Sequence, residues 1–185
     1  MDMRRKWIAA PVAALVAASV ICGCANPQKA GVKALEEGNY AEAETQFQEL
    51  TEAGGEDAAA GWQGLGMAYY ETEDYQGALE AFQKAVESGM SPSIQMYNLM
   101  AVCAMQMKEY GQALEYIRSG LALADTASEE EQPDAGLIQE MKFNEIICCE
   151  KQADWESAKQ KITEYVSEYP DDETARREAE FLATR

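Results

Sequence analysis

Between residues 59 and 91 the apolar positions recur with the period of a helix. Trp62, Leu65, Gly66 and Tyr69 share one helical face; after a polar turn, Ala78, Phe82, Ala85 and Val86 form a second. The pattern predicts two helices joined by a short connection. The hexad at that connection returns along the chain as Gly38-Asn39-Tyr40-Ala41-Glu42-Ala43, Glu73-Asp74-Tyr75-Gln76-Gly77-Ala78, Lys108-Glu109-Tyr110-Gly111-Gln112-Ala113 and Ala153-Asp154-Trp155-Glu156-Ser157-Ala158. Tyr40, Tyr75 and Tyr110 are 35 residues apart, as are Ala43, Ala78 and Ala113, and Phe47, Phe82 and Ile117. Trp155 follows Tyr110 by 45. The excess falls at 125–133, where Ser128, three successive glutamates and Pro133 read as a loop insertion. A fixed period of this size predicts stacked two-helix units, each burying its apolar face on the next.

The spacing Trp62-x₂-Leu65-Gly66-x₂-Tyr69 followed by Ala78-x₃-Phe82 resembles the tetratricopeptide-repeat (TPR) pattern. The resemblance implies an all-α solenoid of about four helix-turn-helix repeats, near 26–56, 59–91, 94–124 and 134–170. It implies small residues, Gly66 and Ala78, where helices cross closely. Trp62, Leu65 and Tyr69 would fill the space within a unit, and Phe82 and Ala85 would pack it on its neighbour. The first unit has Pro27 where its first helix should begin, and keeps Gly31, Ala34, Tyr40, Ala43 and Phe47. The third carries Tyr97, Met100, Ala101 and Ala104 in place of the aromatic set. In the fourth, Ala158, Ile162, Tyr165 and Pro170 fit, but counting back puts Lys142 and Glu145 where bulky apolar residues belong. Either that helix is shifted by a residue or its packing differs. Residues 172–185, with Ala175, Ala179 and Leu182 among Glu and Arg, are expected to form a polar C-terminal capping helix.

The chain starts differently. Arg4, Arg5 and Lys6 precede a 15-residue uncharged run at 7–21, short for a permanent span and suited to a secretory signal. Ile21-Cys22-Gly23-Cys24 resembles the bacterial lipoprotein signal, with Cys22 atypical at the middle position. This resemblance implies a signal peptide at 1–23, cleavage before Cys24, and a lipid on its thiol. The repeat domain then occupies 24–171, exported and tethered to a bacterial membrane on its extracytoplasmic face. Each buried lipid CH₂ contributes about 0.8 kcal/mol of membrane affinity, so several acyl chains hold a domain without a spanning helix.

Charge and composition narrow the function. Lys+Arg total 15 and Asp+Glu 33, a net charge of −18, which disfavours nucleic acid and direct contact with anionic lipid. The sequence has no histidine, which excludes Ser-His-Asp and Cys-His hydrolases and removes the usual metal ligand. No phosphate loop or metal-ligand spacing is present, and no cofactor, metal ligand or catalytic residue is assigned. Cys103, Cys148 and Cys149 lie in apolar helical stretches and read as small buried hydrophobes; catalysis by Cys148 or Cys149 is the minor alternative.

In the TPR family, ligands occupy the concave groove lined by the first helix of each unit. The resemblance carries three rows onto this chain: Gln28, Gln63, Asn98 and Phe143; Val32, Met67, Val102 and Ile147; Leu35, Tyr70, Met105 and Glu150. The central candidates are Gln63, Met67, Tyr70, Asn98, Val102 and Met105. Some family members clamp a terminal carboxylate with Lys and Asn in these rows; the cations are missing here, so that mode is not expected. An uncharged groove of amide, aliphatic, Met and Tyr suits an extended peptide or an apolar helix face. The same residues could instead pack beneath a neighbouring element of the chain. The expected function is a lipid-anchored, non-catalytic scaffold that binds a protein or peptide segment; the alternative is a surface peptide or small-ligand receptor.

Overall fold

A computed structural model describes residues 26–127 and 133–185. The signal segment and Cys24 lie outside them.

Nine helices follow one another among the described residues: α1 (Pro27–Glu36), α2 (Tyr40–Thr51), α3 (Gly55–Glu71), α4 (Tyr75–Glu87), α5 (Ile94–Gln106), α6 (Tyr110–Asp125), α7 (Ala135–Lys151), α8 (Trp155–Glu168) and α9 (Glu173–Ala183). Consecutive helices pack on each other, and α1 also touches α3, as α5 touches α7. This is an all-α solenoid of four hairpins with α9 packed on α8 as the cap.

The repeated hexad makes the turn within each hairpin. Gly38, Glu73, Lys108 and Ala153 occupy it with φ of 74°, 63°, 66° and 58°. The left-handed residue lets the chain double back: Asn39, Asp74, Glu109 and Asp154 each donate a backbone N–H to the carbonyl five residues earlier, at 2.7–2.9 Å. Glycine, the residue that adopts this conformation freely, stands there only in the first unit. The next helix starts at once, capped by Asp74 Oδ1 accepting from Gly77 N–H (3.0 Å) and Asp154 Oδ1 accepting from Ser157 N–H (3.2 Å). Pro27 does not obstruct the first helix: it is the first helical residue, where a missing N–H is harmless, and Asn26 caps it.

The small residues mark the close crossings. A Cβ on Gly66 would stand 2.6 Å from the Phe82 ring, and one on Gly64 only 2.3 Å from that of Phe47. Phe82 is fully buried, packed with Met96, Leu99, Met100 and Cys103 of the next unit. Leu65 is buried with Ala34, Phe47, Leu50 and Ala81. Val86, placed by periodicity on the same face as Phe82, is instead 36% exposed.

The fourth unit has no register shift. α7 begins and ends 80 residues after α3, and Trp155 follows Tyr75 by the same 80. Lys142 and Glu145 therefore stand where Trp62 and Leu65 stand in the second unit, and the packing changes to accommodate them.

Candidate binding groove and the cleft behind it

The first helices of the hairpins, α1, α3, α5 and α7, carry the three rows. Met67, Asn98, Val102 and Met105 are buried, each less than a tenth exposed, while Gln63 and Tyr70 are half-buried. Met67 packs with Leu79, Phe82, Met96 and Cys103; Met105 belongs to the cluster around Ile146, Cys148 and Cys149. The rows thus form a floor whose Met and Val side chains are largely covered by their own neighbours. Gln63 and Tyr70 stand higher on it. Phe143, also buried, sets its ring edge-on against Tyr165 at 5.4 Å.

Tyr70 meets Tyr75 edge-on at 6.1 Å. Burial, aided by Cys103, Tyr75, Glu140 and Glu71, pushes its phenol well above the ordinary tyrosine range, so it stays neutral. Asn98 Nδ2 donates to Glu140 Oε1 at 3.2 Å, tying α5 to α7, while Asn98 Oδ1 is buried without a hydrogen-bond partner. At the far end of the third row, burial and the Glu178 carboxyl of α9 raise Glu150 to about 7, and its Oε1 is likewise buried without a partner.

Glu140 is absent from the rows read off the repeat. Its signal was available: it lies about one helical turn before the row residue Phe143 on α7.

On the side formed by α6, α7 and α8 the substituted pair opens a cleft of about 440 Å³. Glu145 lies at its floor with a side chain 3% exposed, accepting from Lys161 Nζ at 2.9 Å and from Arg118 Nε at 3.4 Å. Lys142 pairs with Glu168 at 2.6 Å and lies 5.8 Å from the Tyr169 ring centroid. Leu121, Ala122 and Ile138 complete the wall. Polar residues at two apolar repeat positions were the available signal for these counter-charges on α6 and α8.

The three thiols are buried. Burial pushes Cys103 and Cys148 to about 12 and raises Cys149 as well, which keeps each as an unreactive thiol at neutral pH. Among the described residues no group of three or more acidic or thiol side chains is placed to hold a metal, and no helix is long and apolar enough to cross a membrane.

Comparison with known proteins agrees with this architecture. Two family models, each described as tetratricopeptide repeat, match residues 29–93 and 94–126. Together they span more than half of the chain, which belongs to the tetratricopeptide-repeat family. No curated protein matches the sequence. Among solved structures, YrrB, described as "a TPR protein with an unusual peptide-binding site", is similar with a TM-score of 0.69 at 17% identity, over 83% of this chain and 73% of that one. A structure of MamA AMB-1 is similar with a TM-score of 0.66 at 13% identity, over 84% of this chain and 78% of the other. The N-terminal domain of stress-induced protein-1 from C. elegans gives 0.56 at 25% identity, over 69% of this chain and 96% of that domain.

Proposed function

We propose that this chain is a lipid-anchored, extracytoplasmic TPR scaffold that binds a protein or peptide segment in its concave groove and performs no chemistry on it. TPR domains bind protein partners, and YrrB, of the same fold, is described as having a peptide-binding site. The observation that carries the reading is the continuity of the three rows across α3 and α5. There an apolar floor of Met67, Val102 and Met105 is flanked by Gln63, Asn98 and Tyr70, which offer polar groups to a main chain. Flexible methionines let such a floor adapt to different side chains. Anchoring rests on the Ile21-Cys22-Gly23-Cys24 sequence alone.

A photo-reactive residue at Tyr70, with Glu80 on the exposed face of α4 as control, tests the groove in the producing cell. The scaffold predicts a discrete protein adduct from position 70 only; adducts from neither position, or equally from both, contradict it. In the same cells Cys24→Ala should move the protein from the membrane to the soluble fraction, and retention in the membrane would remove the anchor from the account.

The alternative, a small-ligand receptor, draws on the cleft between α6, α7 and α8, whose volume of about 440 Å³ falls within the usual range of ligand pockets. Its charges, however, are largely paired with each other.

A further inference from the structure

The groove rows have unmet hydrogen-bonding demand, and on the rows themselves the demand has one sign, the third orphaned atom among the described residues being a donor off the rows, Asn144 Nδ2. Among the described residues, two of the three buried side-chain polar atoms without a partner are acceptors on the concave rows, Asn98 Oδ1 and Glu150 Oε1. The Asn98 amide cannot be turned over to relieve this, because Oδ1 would then face the Glu140 carboxylate, oxygen against oxygen. Glu140 adds further acceptor capacity beside Asn98, and Glu178 adds a second carboxyl beside Glu150. None of the row residues is Lys or Arg, and the chain carries a net charge of −18. The field and the orphaned acceptors therefore select the same thing, a charged donor.

A charged head alone does not match the floor. The same rows carry Met67 on α3 and Val102 and Met105 on α5. Lysine and arginine combine an alkyl stem that packs on apolar surface with a cationic head that donates several hydrogen bonds. We propose that the groove takes an extended peptide segment bearing lysine or arginine. The cationic heads donate to Asn98 Oδ1 and to the Glu140 and Glu150 carboxylates, and the stems lie on Met67, Val102 and Met105. This rests on the groove reading given above and names the chemistry of its partner.

The test uses the full chain and three fluorescent twelve-residue peptides of serine and leucine, in which every third residue is lysine, glutamine or glutamate. Binding is read by fluorescence anisotropy at physiological salt, where diffuse attraction to the acidic surface is screened. The expected result is binding of the lysine peptide about tenfold or more tighter than the other two. Glu140→Gln and Asn98→Leu should each weaken it about tenfold, while Glu80→Gln, which removes the same charge as Glu140→Gln from the exposed face of α4, should change it less than about twofold. If the glutamine or glutamate peptide binds as tightly, and Tyr70→Ala abolishes that binding, the basic partner is wrong and the groove stands. If Glu140→Gln and Glu80→Gln weaken the lysine peptide equally, binding is diffuse and the groove reading falls with the proposal. Failure of all three peptides to bind overturns both. Glu140→Gln lies on a partly exposed position, so the proposal remains falsifiable even if Asn98→Leu does not fold.

Discussion

The second and fourth hairpins share a register and fill it with opposite chemistry. In the second, Trp62 and Leu65 sit between the helices, Leu65 is 2% exposed, and Lys84 Nζ caps the indole ring at 4.3 Å. In the fourth, Lys142 and Glu145 occupy those places, and the buried carboxylate is held by Arg118 and Lys161. The first helix and the turn are the same length in both, so the fold is set by turns, caps and small residues at crossings rather than by the apolar pair. What the pair changes is the chemistry behind the hairpin. In the fourth, an ion-pair network of long, half-solvated side chains lines the cleft of about 440 Å³.

The comparison is broken most sharply by truncating both sides of it. Leu65→Ala removes a fully packed side chain and should cost about 3 kcal/mol in a urea melt. Glu145→Ala should cost only about 1 kcal/mol, because the cations it leaves behind, 59% and 35% exposed, turn to water instead of remaining buried. Equal losses would mean that the network holds the fourth hairpin as strongly as the apolar pair holds the second. Transplanting the apolar pair is the converse: Lys142→Trp together with Glu145→Leu should fill the cleft and stabilise the chain by about 1 kcal/mol, a gain in midpoint that strain in the fourth hairpin would reverse.

A smaller effect separates the hairpin turns. Ala153 holds φ 58° where the first unit has Gly38. Ala153→Gly should stabilise by about 0.5 kcal/mol, the left-handed strain relieved less the entropy of glycine, and Gly38→Ala should destabilise by a similar amount. Thermal melts of the pair decide it, and parallel shifts of both variants would contradict the common turn geometry.

A separate effect lies in pH. Glu150 is raised from 4.5 to about 7 by burial and by Glu178 of α9, against a weaker opposing effect of Lys151 on its own helix. The native state then keeps a proton that the unfolded chain releases between those values. Stability from this group is full below about 4.5 and is lost as pH rises through about 7. Glu150→Gln should flatten that slope relative to the parent in urea melts at pH 5 and pH 7.5; an unchanged slope would place the titration elsewhere.

Much of this was legible in sequence because each hairpin repeats local signals: the turn hexad, the Gly and Ala crossings, and the acidic caps. Pro27 and the fourth unit were harder to read because pattern counting notices a missing bulky residue but not its replacement. Glu145 becomes intelligible only when Arg118 and Lys161, on two other helices, supply its partners, and Lys142 only when Glu168 of α8 supplies its own. Asn98 was visible as a row residue, but its bond to Glu140 bridges α5 and α7 across the insertion at 125–133, where the period fails. Val86 shows the opposite limit: periodicity gives a face, yet the width of the next helix decides how much of that face is covered.

The groove carries its own reporters. Met67 and Met105 lie on its floor, whereas Met141 is fully buried on α7 against Gly120, toward α6. Carbon-13-labelled methionine methyls followed by NMR during titration with the lysine peptide read the binding face directly. The account predicts that the Met67 and Met105 resonances shift saturably while Met141 stays in place. Movement of Met141 without Met67 and Met105 would put the peptide in the cleft behind the hairpins and contradict the groove.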